Sequence, residues 1–350
     1  MVKAMTKVEV DVLKETFKKQ LFKKEYIAYG IECEKKLNQP PYETVIKTFD
    51  GYGNEHNIPA KGPGKILRHV SYHQAVHSAQ EQPASDQGFE GMLSRVTDAP
   101  PPTPPNNCCL YNGRKEEYEK LTENWLQSSF YQPFIDRVEE KVRRMTEVKS
   151  VACFGLGRLM KDMDLPGSHI ITNYLQHIVA LKIRNLIEKV QKGKVTENIP
   201  IYTQDPAYCT NCKSILEKEL GFQVMESNSG YLKVDANSFV ITCAPAAPVR
   251  QIIGDLTKDS IGPAGMLCQP IDGDGVETAE NIVDMPSPSI EQFALHAHKN
   301  DMKIVFRNDH SSDSSDEEGD MRNTVFYDEK YPSVIGSIFT DFALYFKKKP

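Results

Sequence analysis

Leu13, Phe17 and Leu21 stand four apart, and Lys14, Lys18, Lys19, Lys23 and Lys24 occupy the other faces. That spacing predicts a basic amphipathic helix over residues 8–27, a surface helix of the fold or, alternatively, a helix for a membrane surface or a partner. Residues 50–65 are rich in Gly, Pro and Asn and predict a loop. Residues 78–107 are polar and end in Pro100-Pro-Pro-Thr-Pro-Pro105, which favours an extended polyproline spacer, with an SH3-type ligand as the other reading. From residue 115, Tyr118, Leu121 and Trp125 share a helical face. Pro133 opens the next helix, with Phe134, Ile135, Val138 and Val142 on its apolar side.

After residue 147 the period alternates. Short apolar runs at Val148–Phe154, Ile199–Thr203, Phe222–Met225, Ser238–Thr242 and Met266–Cys268 predict strands. Helical patterns lie between them at Ser168–Val190, Asn211–Leu220 and Pro248–Leu256, and a short hairpin-like piece at Tyr231–Val234. Strands alternating with helices imply a mostly parallel sheet covered on both faces, an α/β fold of Rossmann-like type. Lys303–Phe306 is a further strand, Thr324–Tyr327 another apolar piece, and the aromatic stretch Val334–Phe346 is expected to pack on the sheet. The expected organisation is an N-terminal extension (1–77), a proline-rich linker (78–114) and an α/β domain (115–350).

Charge alters this picture at one place. The chain of 350 residues has a net charge of −6. Asp309, Asp313, Asp316, Glu317, Glu318 and Asp320 account for all of it, within a tract free of Lys and Arg. The body is therefore neutral and has no basic field for nucleic acid. The segment around it, about 309–322, reads as a disordered insertion, and Ser311, Ser314 and Ser315 within it are candidate phosphorylation sites. No apolar run is long enough to span a membrane, and the start lacks a secretory h-region, so the cytoplasm or nucleus is expected. Eight irregularly spaced cysteines fit a reducing compartment better than a disulfide framework.

Ligands of open α/β sheets bind beyond the carboxyl ends of the strands. The residues standing there are Gly155, Leu156, Gly157 and Arg158, then Asp205 and Pro206, then Cys243 and Pro245, and finally Gln269 with Asp272 and Asp274 nearby. Gly155 and Gly157 permit a tight turn and close approach to a phosphate or ribose, and Asp205 stands where an acid grips ribose hydroxyls. The dinucleotide pattern is incomplete: residue 160 is Met, and the acid comes far too late in the chain. The glycines are equally consistent with a plain chain reversal. Cys209 and Cys212 form a CxxC at a strand-to-helix junction, a redox pair in one reading and a coincidence in another. A single CxxC is poor evidence for zinc. Asp272-Gly-Asp-Gly lacks the rest of a calcium loop, since Val276 and Val283 stand at positions five and twelve. His296 and His298 diverge on a helix, so no metal is expected. No P-loop, Gly-x-Ser-x-Gly or HExxH occurs, and no catalytic residue is assigned.

Several segments in order resemble the SRR1-like domain family. They are V-A-C-F-G-L-G-R-L (151–159), N-Y-L-Q-H-I-V-A-L-K-I (173–183), I-Y-T-Q-D-P-A-Y (201–208) and L-E-K-E-L-G-F-Q-V (216–224). F-V-I-T-C-A-P-A-A-P-V-R-Q-I (239–252) is similar to what is taken as the fungal branch, and F-T-D-F-A-L-Y-F (339–346) is a looser match. The resemblance covers residues 117–290 and more loosely reaches 346. Arg158 stands where the family more often has a small polar residue. The resemblance implies a Rossmann-like core and a cytoplasmic or nuclear regulatory protein with protein partners. Its members are linked to circadian regulation, microtubule-related phenotypes and haem metabolism, without an established reaction or cofactor. An S-adenosylmethionine- or nucleotide-dependent transferase using the same groove is the enzyme alternative. A scaffold acting through the basic helix and acidic tract is the third.

Overall fold

The computed structural model describes residues 6–81, 92–98, 115–128, 131–159, 168–191, 198–243, 245–273, 275–276, 284–306, 324–325 and 342–350. The acidic tract with Ser311, Ser314 and Ser315, and most of the proline-rich stretch, lie outside the described residues.

The N-terminal layer contains α1 (Lys7–Lys18), α2 (Lys24–Leu37), β1 (Glu43–Phe49), β2 (Glu55–Lys61), β3 (Lys65–His69), α3 (Tyr72–Glu81) and β4 (Ser94–Asp98). Two expectations change here. The helix expected over 8–27 is two helices, broken where Gln20 takes a left-handed φ of 51°. The Phe22 amide leaves the helical ladder and donates to Asp255 Oδ2 at 3.0 Å. Leu13, Phe17 and Leu21 are buried, and α1 packs on α3. The loop expected over 50–65 holds β2, which pairs antiparallel with β1 across a turn whose Tyr52 and Asn54 amides donate to Asp50 Oδ1. β4, inside the stretch read as spacer, pairs antiparallel with β3.

The remainder runs α4 (Lys115–Leu126), α5 (Tyr131–Arg144), β5 (Ser150–Phe154), α6 (Ser168–Gln191), β6 (Ile201–Gln204), α7 (Thr210–Lys218), β7 (Gln223–Val224), β8 (Ser238–Thr242), α8 (Val249–Leu256), β9 (Gly265–Cys268), α9 (Pro288–Lys299), β10 (Lys303–Phe306), β11 (Thr324–Val325) and β12 (Ala343–Phe346). The piece read as hairpin-like at 231–234 falls instead in a short 3₁₀ turn, Ser229–Lys233. Among the described residues the main sheet has the order β11-β10-β12-β9-β8-β5-β6-β7. β5 to β9 are parallel, whereas β12 runs antiparallel between β9 and β10.

The parallel strands begin in the middle with β5 and step outward to β6 and β7. The chain then crosses back over β5 to β8 and β9. Counted in chain order, that is 3-2-1-4-5, with the reversal between β5 and β8. All residues of β8, β9 and β12 are buried, as are Val151 to Phe154 of β5, so their near-continuous apolar runs follow from cover on both faces. α4, α5 and α6 pack together, and α8 packs on α9.

The two layers share one buried core that includes Leu13, Phe17, Ile27 and Tyr72 together with Val249, Ile252 and Ile253. Polar groups hold the junction. Asp255 of α8 accepts from the Phe22 amide and bonds the Tyr72 hydroxyl, which in turn accepts from the Leu21 amide at 2.9 Å. The Tyr72 amide donates to Gln251 Oε1 at 2.8 Å. Burial pushes the Asp255 carboxyl up to about 6, against the pull of the Tyr72 hydroxyl and the Phe22 amide.

Candidate functional site

A cavity of about 430 Å³ opens at the carboxyl ends of β5 and β6 and the start of α8, where the strand order reverses. Gly155, Asp205, Pro206 and Pro245 line it. Leu156 and Cys243 do not: both are buried in the core. Gly157 and Arg158 sit behind the wall, at the Asn173 side chain.

The glycine turn is closed by the protein itself. Gly155 has φ +70°, and a Cβ there would lie 2.8 Å from Pro245 Cα and 2.9 Å from the Cys243 carbonyl oxygen. Gly157 has φ +75°, and its Cβ would meet Asn173 Nδ2 at 2.4 Å. The close approach that glycine permits is therefore used for turn-on-turn packing and for Asn173. Asp205 completes this lock. Its Oδ2 accepts from the Gly157 amide at 2.7 Å and its Oδ1 from the Ala207 amide at 2.8 Å. Burial raises the Asp205 carboxyl above its ordinary range, although both amides and the Arg158 charge pull it down.

Beneath the wall runs a buried polar chain. Asn173 accepts from His177 Nδ1 at 2.7 Å through its backbone carbonyl, which can only accept, so Nδ1 carries the proton. His177 Nε2 then accepts from the Tyr208 hydroxyl at 2.8 Å, and that oxygen accepts from Thr203 Oγ1 at 2.7 Å. Burial lowers His177 to about 4, so this imidazole is neutral near pH 7. Tyr208 also lines the cavity.

The opposite wall comes from the N-terminal layer: Glu34 of α2 and Ile66, Leu67, Arg68 and His69 of β3. Glu34 Oε2 accepts from the Leu67 amide and from Ser227 Oγ, both at 2.9 Å. Asn228 Nδ2 donates to the Leu67 carbonyl at 2.9 Å. These bonds join the two walls at one edge. His69 is buried, and burial lowers it to about 4. Lys213 ion-pairs with Glu226 at 2.9 Å on the rim. Phe154 and Tyr231 stack at 4.7 Å with an interplanar angle of 11°.

Sequence reasoning missed the second wall entirely. Its residues lie more than 80 positions before the strand ends they face, and the short run Lys-Ile-Leu-Arg-His carries no clear period to mark a strand there. Cys209 and Cys212 flank the site without lining it. Cys209 Sγ caps α7 by accepting from the Cys212 amide at 3.4 Å, and the two sulfurs are 3.5 Å apart. Among the described residues no group of three or more His, Cys, Asp or Glu could hold a metal ion, and no helix is long and apolar enough to cross a membrane.

The fold and cavity define an α/β protein with a lined groove at its strand reversal. The SRR1 domain model matches residues 120–346, more than half of the chain, and the chain belongs to the SRR1 domain family. No curated protein and no solved structure matches it. The family match contains the first wall and begins after the second.

Proposed function

We propose that this chain is a regulatory SRR1-family protein with a Rossmann-like core that binds a small ligand in the cavity between its two walls. It acts in the cytoplasm or nucleus, and binding rather than turnover is its task. The observation carrying this reading is the enclosure of about 430 Å³ at the reversal of strand order, a volume within the ordinary range for small-molecule sites. Support for binding without catalysis comes from the carboxylates. Asp205 and Glu34 are engaged by backbone amides, which ties them to holding loops in place rather than to moving protons.

The test is the melting temperature of the full chain against NAD, NADP, S-adenosylmethionine, nucleosides, nucleotides and haem. A ligand at one hundred times its dissociation constant adds about 2.7 kcal/mol and raises the midpoint by several degrees. The shift should vanish in Ala246→Trp, which fills the cavity from its rim. A flat panel, or a shift that survives Ala246→Trp, overturns the reading.

A further inference from the structure

The cavity wall discriminates between ligand charges. Phosphate sites at such turns use free backbone amides, glycine space and a positive field. Each of the three is spent or reversed here. Four amides in and beside the wall already have acceptors from the wall itself. Gly157 and Ala207 donate to Asp205, Gly230 donates to Gln204 Oε1 at 2.8 Å, and Leu67 donates to Glu34. The space over Gly155 is filled by Pro245 and the Cys243 carbonyl, and that over Gly157 by Asn173.

The charges add to this. Glu34, Asp205 and Glu226 face Arg68 and Lys213, so acids are in excess by one, and Lys213 is tied to Glu226. His69 adds no positive charge near pH 7. What the wall leaves available is different in kind. Gln204 uses its oxygen on Gly230, so its amide N–H donors remain, with no acceptor among the described residues. Ile66 and Met225, both half-buried, supply apolar contact, backed by the buried Phe154–Tyr231 stack.

Resting on the reading of the cavity as a ligand site, we infer that it takes a phosphate-free ligand of nucleoside size that is neutral or carries one positive charge. Its apolar part lies against Ile66 and Met225, and a ring or sugar acceptor meets the Gln204 amide. A phosphate would meet an acid excess, with the amides of the glycine turn and of Ala207 already held by Asp205.

Matched probes test this on the full chain: adenosine and guanosine against their 5′-monophosphates, with S-adenosylmethionine as the cationic member. At 1 mM the nucleosides or S-adenosylmethionine should raise the melting temperature by at least about 2 °C and the monophosphates should not. Glu226→Lys reverses the excess of charge at an exposed position and should bring the monophosphates to within a few-fold of the nucleosides. Monophosphates that bind the native chain as well as nucleosides do would overturn the exclusion of phosphate while leaving the cavity reading intact. Failure of all phosphate-free probes would overturn the ligand class. In that case a hit from the wider panel that is lost in Ala246→Trp keeps the cavity reading, and a flat panel removes both. A Glu226→Lys chain that still rejects monophosphates would show that charge is not the discriminator.

Discussion

The two walls of the cavity are built on different principles. The wall at the strand ends is closed by the loops of adjacent parallel strands: turn packs on turn, and Asp205 ties the glycine segment to the loop after β6. The N-terminal wall is held from afar, by Asp255 on Leu21–Phe22 and Tyr72, and by Glu34 and Asn228 at the rim. The first lies within the family match and the second before it. The cavity is thus built partly from the family-matched region and partly from the N-terminal layer.

Two glycines separate the walls most sharply. Gly155 and Gly64 have nearly equal φ, +70° and +68°, yet a Cβ at Gly64 meets nothing within 4 Å. Gly64→Ala should cost only the left-handed penalty, about 1–2 kcal/mol. Gly155→Ala adds overlap with Pro245 and the Cys243 carbonyl and should cost upward of about 3 kcal/mol. Urea denaturation of both variants checks the gap, and equal losses would mean that the first wall is not closed as described.

The attachment of the second wall should respond to pH. Asp255 is raised to about 6 in the folded protein, above its ordinary value of 3.8. The folded state therefore favours the protonated form. The stability this provides is complete below about pH 4 and is lost as pH rises through 6. A rise of that size corresponds to on the order of 2–3 kcal/mol. Asp284 is also raised to about 6 and adds its own dependence in the same window, so the difference between the native chain and Asp255→Asn isolates the one group. The native chain should lose more stability than Asp255→Asn between pH 4 and 7, and parallel curves would exclude Asp255 as the titrating group.

A smaller effect is expected at the joined edge. Glu34→Gln weakens two hydrogen bonds to a charged acceptor and should cost about 1–2 kcal/mol. Amide exchange at Leu67 should accelerate more than exchange at Gly157. The smallest change concerns the flanking dithiol. With 3.5 Å between sulfurs, Cys209 and Cys212 need only a local shift to reach the bond length of about 2.05 Å. Mild peroxide should join them, with peroxide reduced to water and two hydrogens lost from the chain. Cys153 and Cys268, whose thiols are pushed up by burial, should stay reduced. Peptide mapping after alkylation reads this directly.

Strands β5, β6 and β8, and helices α6 and α8, were legible because buried parallel strands are written as unbroken apolar runs and their helices as broad apolar arcs. Gly155, Asp205, Pro206 and Pro245 could be placed together because the sheet rule sends strand ends to one edge. The role of Asp205 could not, since a carboxylate that grips a ribose and one that caps Gly157 look alike in sequence. The position of β12 was hidden for another reason. Its antiparallel insertion between β9 and β10 depends on pairing across more than seventy residues. β2 was masked by the Gly, Pro and Asn around it, although Pro59 faces Val45 in a regular antiparallel register. The second wall shared the difficulty of β12, partners far away in the chain, and its strand is only five residues long.

The central claim is that one ligand is held by both walls at once. Hydrogen–deuterium exchange of the full chain with and without saturating adenosine tests it most directly. The account predicts slower exchange in residues 65–69 and, in the same sample, in residues 204–208 and 225–231. Protection confined to one wall, or appearing outside both, would contradict it.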